Sequence, residues 1–170
     1  MMLFKVALIS LLYSQSVFAA QWSSEYKALA VAVSECDITE LSRLQSLGQD
    51  LEISDDKGYR PLHIAALDKA SSPCLTWLIN QGVNINAITT SGDTPMLVAA
   101  QSFNPEAVRL LDQAGADLSV KNNDGDDLFY IALMLTEVED QPLHAEAYDI
   151  INSARDIYKR ERALQRDSVE

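Results

Sequence analysis

Two segments of the chain share one pattern: DKGYRPLHIAA at residues 56–66 and SGDTPMLVAA at residues 91–100. In both, a glycine stands three residues before a proline, and a mostly apolar stretch follows. Proline suits the first position of a helix, because its fixed φ is helical and its missing N–H would have no helical partner there. A third copy places Gly125 and Leu128 in the glycine and proline positions. The pattern predicts a turn followed by a short helix, three times over.

A second pattern repeats with the same period. The strings GQDL, GVNI and GADL begin at Gly48, Gly82 and Gly115, which are 34 and 33 residues apart. A leucine lies four positions before each glycine, which is the spacing of a helix face that runs into a glycine stop. Each unit is predicted to contain a turn, two short helices and an extended hairpin strand. Because such a unit cannot bury its apolar face alone, the units are expected to stack into a solenoid.

These features together resemble the ankyrin repeat: the period, the turn-and-helix start at 56–66, and the helix end LLDQAGAD at 110–117. The resemblance implies an all-α solenoid of about four helix-turn-helix units with hairpin loops, in a domain spanning residues 20–158. We place the units at about 22–54, 55–88, 89–121 and 122–158. The two outer units depart from the pattern, as the water-facing ends of a stacked array require.

Several helices can be placed more closely. Unit one is predicted to have helices at 26–33 and 38–47, and unit four a helix at 129–135. Unit two has one residue more than unit three between its helices, which we place within residues 69–72. Pro142 is predicted to open a long C-terminal capping helix, and residues 159–170 to form a charged tail.

The first 19 residues have the features of a cleaved signal peptide. Lys5 is their single charge, an apolar run follows it, and Val17 and Ala19 occupy the positions that a signal peptidase reads. The run is too short for a spanning helix, which needs roughly 20 apolar residues, so no membrane insertion is expected after cleavage. We predict export to a bacterial periplasm, with secretion as the alternative.

The chain is strongly acidic, with 25 Asp and Glu residues against 13 Lys and Arg residues. The formal net charge of −12 repels nucleic acid and favours encounter with basic proteins. A surface that serves only solubility explains the same charge. A basic protein is therefore the predicted partner, and no nucleic acid is expected.

Cys36 and Cys74 are the two cysteines of the chain. An even count in an exported protein suggests one disulfide. Two separate buried thiols fit equally, since a bridge needs the alpha carbons within about 7 Å. The repeat resemblance places both cysteines near the inter-helix turns of adjacent units, where a bridge would join units one and two.

Few residues of the chain are candidates for catalysis or metal binding. His63 and His144 are the two histidines. The resemblance implies a structural hydrogen-bonding role for His63, although Arg60 replaces its usual threonine partner. His144 has Glu137 and Glu146 nearby, short of the three or four converging ligands that a metal site generally needs. Nucleophile, phosphate-loop and dinucleotide motifs are absent. We predict a non-catalytic protein without metal or cofactor.

In ankyrin proteins the hairpin tips and the ends of the first helices line a concave, partner-binding face. Carried onto this chain, the resemblance implies binding through residues that are mostly acidic or amide-bearing. They are Asp55, Lys57, Tyr59, Arg60, Asp68, Thr90, Asp93, Gln101, Asn123, Asp124 and Asp126. Tyrosine and arginine often carry interface energy, which singles out Tyr59 and Arg60.

Size, export, acidity and the lack of catalytic motifs together favour a protein-binding role. The first hypothesis is an immunity or inhibitor protein that neutralises a toxin or a secreted hydrolase. The alternative is an envelope factor for oxidative-stress tolerance or assembly. In either role we expect a monomer in the absence of the partner.

Overall fold

The structure is a computed structural model that describes residues 24–136 together with Asn152, Asp156 and Lys159. Residues 24–136 form seven α-helices and one short 3-10 helix. They are α1 (Ser24–Ser34), α2 (Ile38–Ser46), α3 (Pro61–Leu67), the 3-10 helix (Lys69–Ser71), α4 (Ser72–Asn80), α5 (Pro95–Gln101), α6 (Pro105–Gln113) and α7 (Leu128–Thr136). Each helix predicted within this range is present.

The helices pack as a stack of pairs. Helices α1 and α2, α3 and α4, and α5 and α6 pack within one unit each, and the first helices stack in the order α1, α3, α5, α7. Apolar side chains from all four units form one continuous core. Its largest fully buried apolar members are Tyr26, Leu29, Leu41, Leu75, Leu78, Met96, Leu97, Leu111 and Ile131. The predicted helical solenoid is confirmed.

The first helices of units two to four begin in two different ways. In unit three, Thr94 Oγ1 accepts a hydrogen bond from the Leu97 N–H at 3.3 Å, as an N-cap does. In unit four, Asp127 does the same for Tyr130 at 2.9 Å. Arg60 has no side-chain acceptor at this position, and its backbone N–H instead donates to Nδ1 of His63 at 3.1 Å.

The loops between units are tight turns. A backbone hydrogen bond closes each one, from Asp55 N to Tyr59 O, from Thr89 N to Asp93 O and from Asn122 N to Asp126 O. The predicted extended hairpin strand is wrong, because the described residues contain no β-strand. The segment before each tip is held by its own side chains instead; Asp50 Oδ1, for example, accepts from the Glu52 N–H at 2.8 Å.

The connection between the two helices is described for units one to three, and it is similar in two of them. Units one and three use a residue with positive φ, Cys36 at 49° and Phe103 at 56°. Unit two has the 3-10 helix Lys69–Ser71 at this place. The additional residue predicted within 69–72 is accommodated by this extra turn.

The predicted capping helix and charged tail lie almost wholly outside the described residues. Asn152, Asp156 and Lys159 are helical and exposed. Lys159 Nζ lies 3.7 Å from Asp156 Oδ1, one helical turn away.

The turn glycines give a testable prediction, because their positions differ in the space around them. Gly82 and Gly92 have φ of 77° and 79°, but an added Cβ at Gly92 would lie 2.9 Å from Asn123 N, whereas at Gly82 nothing lies within 4 Å. Gly82→Ala should cost about 1 kcal/mol, the cost of a left-handed alanine. Gly92→Ala should cost at least about 1 kcal/mol more, because the next turn must also move. Urea unfolding of both variants measures the difference; equal losses would contradict it.

Candidate protein-binding surface

The turns of neighbouring units bond directly to one another. We call residues 55–59, 89–93 and 122–126 the tip row. The Thr90 N–H donates to Lys57 O at 2.8 Å, and the Asn123 N–H donates to Ser91 O at 2.9 Å. Side chains strengthen both junctions, since Thr90 Oγ1 donates to Lys57 O at 3.1 Å and Asn123 Nδ2 donates to Thr90 O at 2.9 Å. The tip row is therefore one bonded surface rather than three separate loops.

The glycines at the tips of units two and three permit this approach. A Cβ on Gly58 would lie 3.0 Å from both Thr89 Cα and Thr90 N, a distance that backbone atoms cannot relieve by a side-chain movement. Glycine at this position therefore serves the stacking of tips as well as the positive φ of the turn.

The predicted binding residues differ in how far they reach solvent. Lys57, Asp68, Thr90, Asn123 and Asp124 are exposed. A second group is partly exposed and consists of Tyr59, Arg60, Gln101 and Asp126. The remaining two residues, Asp55 and Asp93, are buried, with 8% and 7% of their surface accessible. Their carboxylates are not presented to a partner, which corrects the prediction for these two residues.

Asp55 is buried because its carboxylate closes the turn of unit two. Asp55 Oδ1 accepts hydrogen bonds from the N–H groups of Lys57 at 2.9 Å and Tyr59 at 2.7 Å. Burial raises the pKa of this carboxyl, against the opposing effect of the two N–H donors. Thr89 and Asn122 accept the corresponding bonds in units three and four. This position of the repeat belongs to the scaffold.

Asp93 joins units three and four from inside the surface. Its Oδ1 accepts from Gln101 Nε2 at 2.9 Å and from Asn122 Nδ2 at 3.0 Å. Removing one partner of such a buried pair leaves polar atoms unsatisfied, so we assign Asp93 and Asn122 a structural role. Gln101 is held by the same bond and stays partly exposed.

Arg60 forms a salt bridge with Glu52. Its Nη1 lies 2.7 Å from Glu52 Oε2, and Glu52 Oε1 accepts the Asn84 N–H of the following unit. Asn86 makes the corresponding bond one unit later, to the Asp117 N–H at 2.8 Å. Sequence reasoning missed Glu52. The available signal was its position four residues after Gly48, which matches that of Asn86 after Gly82.

Tyr59 is the aromatic residue of the tip row. Its ring meets the His63 ring edge to face, with centroids 5.8 Å apart and an angle of 64° between the planes. Burial raises the pKa of the phenol, and the negative charges of Asp93 and Asp55 raise it further. Tyr59 therefore stays a neutral hydroxyl near neutral pH, with part of its surface open to a partner.

His63 performs the structural role that the repeat resemblance implied. The ring is fully buried, and Nδ1 accepts the Arg60 N–H, so Nε2 must carry the proton. Nε2 donates to Ala87 O at 3.0 Å, at the end of the same unit, and to Asp93 O at 3.2 Å in the next unit. Burial lowers the pKa of His63 to about 4. A neutral imidazole whose two nitrogens are both engaged holds two units together and offers no acid–base chemistry.

Exposed apolar side chains were also missed by the sequence reasoning. Ile88 stands directly before the tip of unit three with 56% of its surface accessible. Ser54 and Lys121 occupy the corresponding positions in the neighbouring units. Ile88 is thus an exposed aliphatic side chain directly beside the tip row.

Residues 24–136 were compared with the requirements of a metal site and of a membrane-spanning helix. Within this range, no three His, Cys, Asp or Glu side chains converge as ligands for a metal ion. His144 lies outside the described residues. None of the described helices has both the length and the apolar character needed to cross a membrane.

The stacked helix pairs and the bonded tip row define a helical repeat protein. A family model described as ankyrin repeats (3 copies) matches residues 10–122. The chain belongs to the ankyrin-repeat family. Ankyrin repeats are protein–protein interaction modules, so binding of a protein is the general role of this domain.

Two relatives show how far the similarity extends. The human ankyrin repeat and SOCS box protein 6 is 34% identical over 119 residues, which is 65% of this chain and 28% of that protein. An ankyrin repeat-containing protein of Schizosaccharomyces pombe, P1E11.10, is 39% identical over 72 residues, 42% of this chain and 33% of that protein. The chain spans about a third or less of these proteins, and the similarity concerns the repeats.

One relative carries the name of an enzyme. The putative palmitoyltransferase ZDHHC13 of Danio rerio is 24% identical over 131 residues, which is 76% of this chain and 20% of that protein. The match thus covers a fifth of the relative. It supports the repeat fold and gives no ground for assigning catalysis to this chain.

The buried histidine predicts a pH dependence. Between pH 6.5 and about 4, an unfolded chain protonates this histidine whereas the folded chain keeps it neutral. Stability is therefore full above pH 6.5 and falls as the pH drops toward 4, by up to about 3 kcal/mol from this group. Urea unfolding from pH 7.5 to 5 measures the slope.

His63→Gln provides the control, since it cannot titrate in this range. The variant should be less stable at pH 7.5 but should lose most of the slope between pH 6.5 and 5. An unchanged slope would assign the pH dependence to other groups.

Proposed function

We propose that this protein is a non-catalytic periplasmic binder that neutralises a basic protein, as an immunity or inhibitor protein does to a toxin or a secreted hydrolase. The observation that carries the proposal is the tip row. Bonds between units hold it in one shape before any partner arrives, so little conformational freedom is lost on binding.

The charges of the tip row suit a basic partner. Asp56 and Asp124 are exposed and Asp126 is partly exposed, while the amide of Asn123 and the hydroxyl of Thr90 lie between them. Such an arrangement steers a positively charged protein toward the surface and speeds its association. Tyr59 and Ile88 add apolar area of the kind that anchors an interface.

Three further features of the proposal come from the sequence. They are export through a signal peptide at residues 1–19, a monomeric state before binding, and a partner that is harmful when unbound. An exported acidic binder fits an immunity or inhibitor role because it meets the toxin or hydrolase outside the cytoplasm.

Neutral tips test the binding surface. Asp56→Asn, Asp124→Asn and Asp126→Asn together should weaken capture of the partner at least about tenfold, because three charges that steer and hold a basic protein are removed. A charge-matched control carries Glu40→Gln, Glu106→Gln and Asp112→Asn, which lie on the second helices α2 and α6, away from the tips. Affinity capture from an envelope extract, quantified by mass spectrometry at two salt concentrations, gives the measurement.

The control variant should retain the basic protein that the native chain captures, and higher salt should release it. Equal capture by both triple variants, or an acidic captured protein, would place the binding surface elsewhere. The captured protein should then lose its toxic or hydrolytic activity when the native chain is added. Survival of an attack by toxin-bearing siblings supports immunity, whereas a deletion strain sensitive only to peroxide would favour the stress-tolerance role.

The predicted export can be tested separately from binding. The full chain, produced in a bacterium with a periplasm, should appear in the periplasmic fraction with Ala20 or Gln21 as its first residue, which intact mass determines. A protein that keeps residues 1–19 in the cytosolic fraction would contradict the predicted export.

A further inference from the structure

One aliphatic position of the first helices is buried in units two to four and exposed in unit one. Ile64, Val98 and Ile131 each lie three residues after the start of their helix, with 3%, 1% and 0% of their surface accessible. Val31 holds the same position in unit one, because it lies five residues before the positive-φ residue of its turn, as Val98 does. The accessible fraction of Val31 is 54%.

The difference follows from what precedes each unit. Helix α1 packs on α3, α3 on α5 and α5 on α7, so the first helix of units two to four is covered by an earlier one. The described residues contain no unit ahead of unit one. The outer side of an end unit is generally polar in a stacked array. Val31 instead leaves an apolar, helix-packing position open at the N-terminal end of the stack.

A groove of about 360 Å³ lies beside Val31, and we call it the end groove. Its apolar lining consists of Ala28, Val31 and Ala32, on successive turns of α1. The side chains of Ala28 and Ala32 are short, and the distance between two packed helices depends on the side chains at their contact. The end groove therefore leaves room for a second helix close to α1.

The charged lining of the end groove is negative beside the turn of unit one. Glu35 and Asp37 are exposed there, and Asp37 also caps α2 by accepting the Glu40 N–H at 2.9 Å. Glu40 is paired with Arg43, whose Nε lies 2.7 Å from Glu40 Oε2. The negative charge offered to an occupant thus comes from Glu35 and Asp37. Lys27 lines the groove about two helical turns before Glu35.

The position of Glu40 distinguishes the end groove from the junctions inside the stack. Glu40, Cys74 and Ala107 each lie eight residues before the glycine that ends their unit's second helix. Cys74 and Ala107 are completely buried, and Cys74 forms a disulfide with Cys36 of unit one, with the alpha carbons 5.4 Å apart. A charged glutamate replaces these small residues in unit one, so the end groove does not match the face of another inner unit.

We propose that the end groove is a second docking site, which receives an amphipathic helix of a partner protein. A helix fits because the equivalent position of units two to four receives the first helix of the preceding unit. The occupant carries an apolar stripe toward Val31 and Lys or Arg residues toward Glu35 and Asp37. A second copy of this chain is disfavoured, since each copy has a net charge of −12 and the same carboxylates. The end groove shares no residue with the tip row, so this site does not depend on the proposed function.

Binding of a synthetic peptide to the purified full chain tests the end groove. The probe is a fluorescent peptide of about 18 residues, long enough to form a helix, in which leucines form one stripe and lysines flank it among alanines. A control peptide has the same composition in an order without a stripe. Fluorescence anisotropy at two salt concentrations gives the Kd of each peptide, and the striped peptide should bind more tightly.

An exposed aliphatic residue elsewhere provides a matched control for the apolar contact. Val31→Asn should weaken binding of the striped peptide at least about fivefold, because docking would desolvate an amide instead of covering an aliphatic side chain. Ile88→Asn changes a side chain of nearly the same exposure beside the tip row and should leave the Kd unchanged.

The charged contact has a control of equal charge. Glu35→Gln with Asp37→Asn should weaken binding about tenfold at low salt and remove most of the salt dependence. Asparagine at position 37 still caps α2, so the fold is kept. Asp56→Asn with Asp124→Asn removes the same charge from the tip row and should bind the peptide as the native chain does. Peptide binding by this tip-row variant separates the end groove from the proposed function.

Three outcomes would overturn the proposal. Equal binding of the two peptides would show that no helix stripe is recognised. Equal weakening by the groove variants and the tip-row variants would show general attraction of a basic peptide to an acidic protein. A mass that rises toward a dimer with concentration in sedimentation equilibrium, and stays monomeric in Val31→Asn, would assign the groove to a second copy.

Discussion

Close approach of one turn to the next is the constraint on which this molecule depends. Gly58 and Gly92 each bring their backbone so near the following tip that a single added carbon would overlap it. That approach allows the backbone of Thr90 to bond to Lys57 and that of Asn123 to bond to Ser91. The distance between units is set at the tips, and the helices below must pack at the same spacing.

His63 connects this constraint to the core. It lies inside the stack of first helices, yet its Nε2 bonds to the backbone on both sides of the next tip, at Ala87 and Asp93. A buried neutral ring thereby links helix α3 of one unit to the turn of the next. Leu97 and Tyr130 occupy the same place in units three and four, so only the junction after unit two has this link. The junction of units three and four relies on Asn122, and that of units one and two on Glu52 and on a disulfide between Cys36 and Cys74.

The repeat period was sufficient to predict the helices, because proline begins and glycine ends helices at the same positions of each unit. It was insufficient to predict which polar residues the scaffold itself uses. Asp55 and Asp124 both belong to acidic turns in the sequence, but Asp55 bonds two backbone N–H groups whereas Asp124 points to solvent. The difference lies in their positions: Asp55 begins its turn, and Asp124 follows two residues after the start. Aligning Asp55 with Thr89 and Asn122, three residue types that can all accept a hydrogen bond, would have revealed a structural position. Glu52 directly follows the repeated string GQDL, but only the geometry shows that it connects Arg60 to Asn84.

The tip residues that are exposed to solvent, and that the scaffold does not use for its own bonds, differ from unit to unit. At the two outermost positions of each tip, unit two carries Asp56 and Lys57, unit three Thr90 and Ser91, and unit four Asn123 and Asp124. The row therefore changes from mixed charge through neutral hydroxyls to an acidic end, where Asp126 is also partly exposed.

A partner that matched only the overall negative charge could bind to this surface in either direction. A partner with a basic patch at one end and a neutral, polar patch at the other is accepted in one orientation, since reversing it would place its cations beside Lys57. The invariant positions thus build the surface, and the variable positions give it a direction.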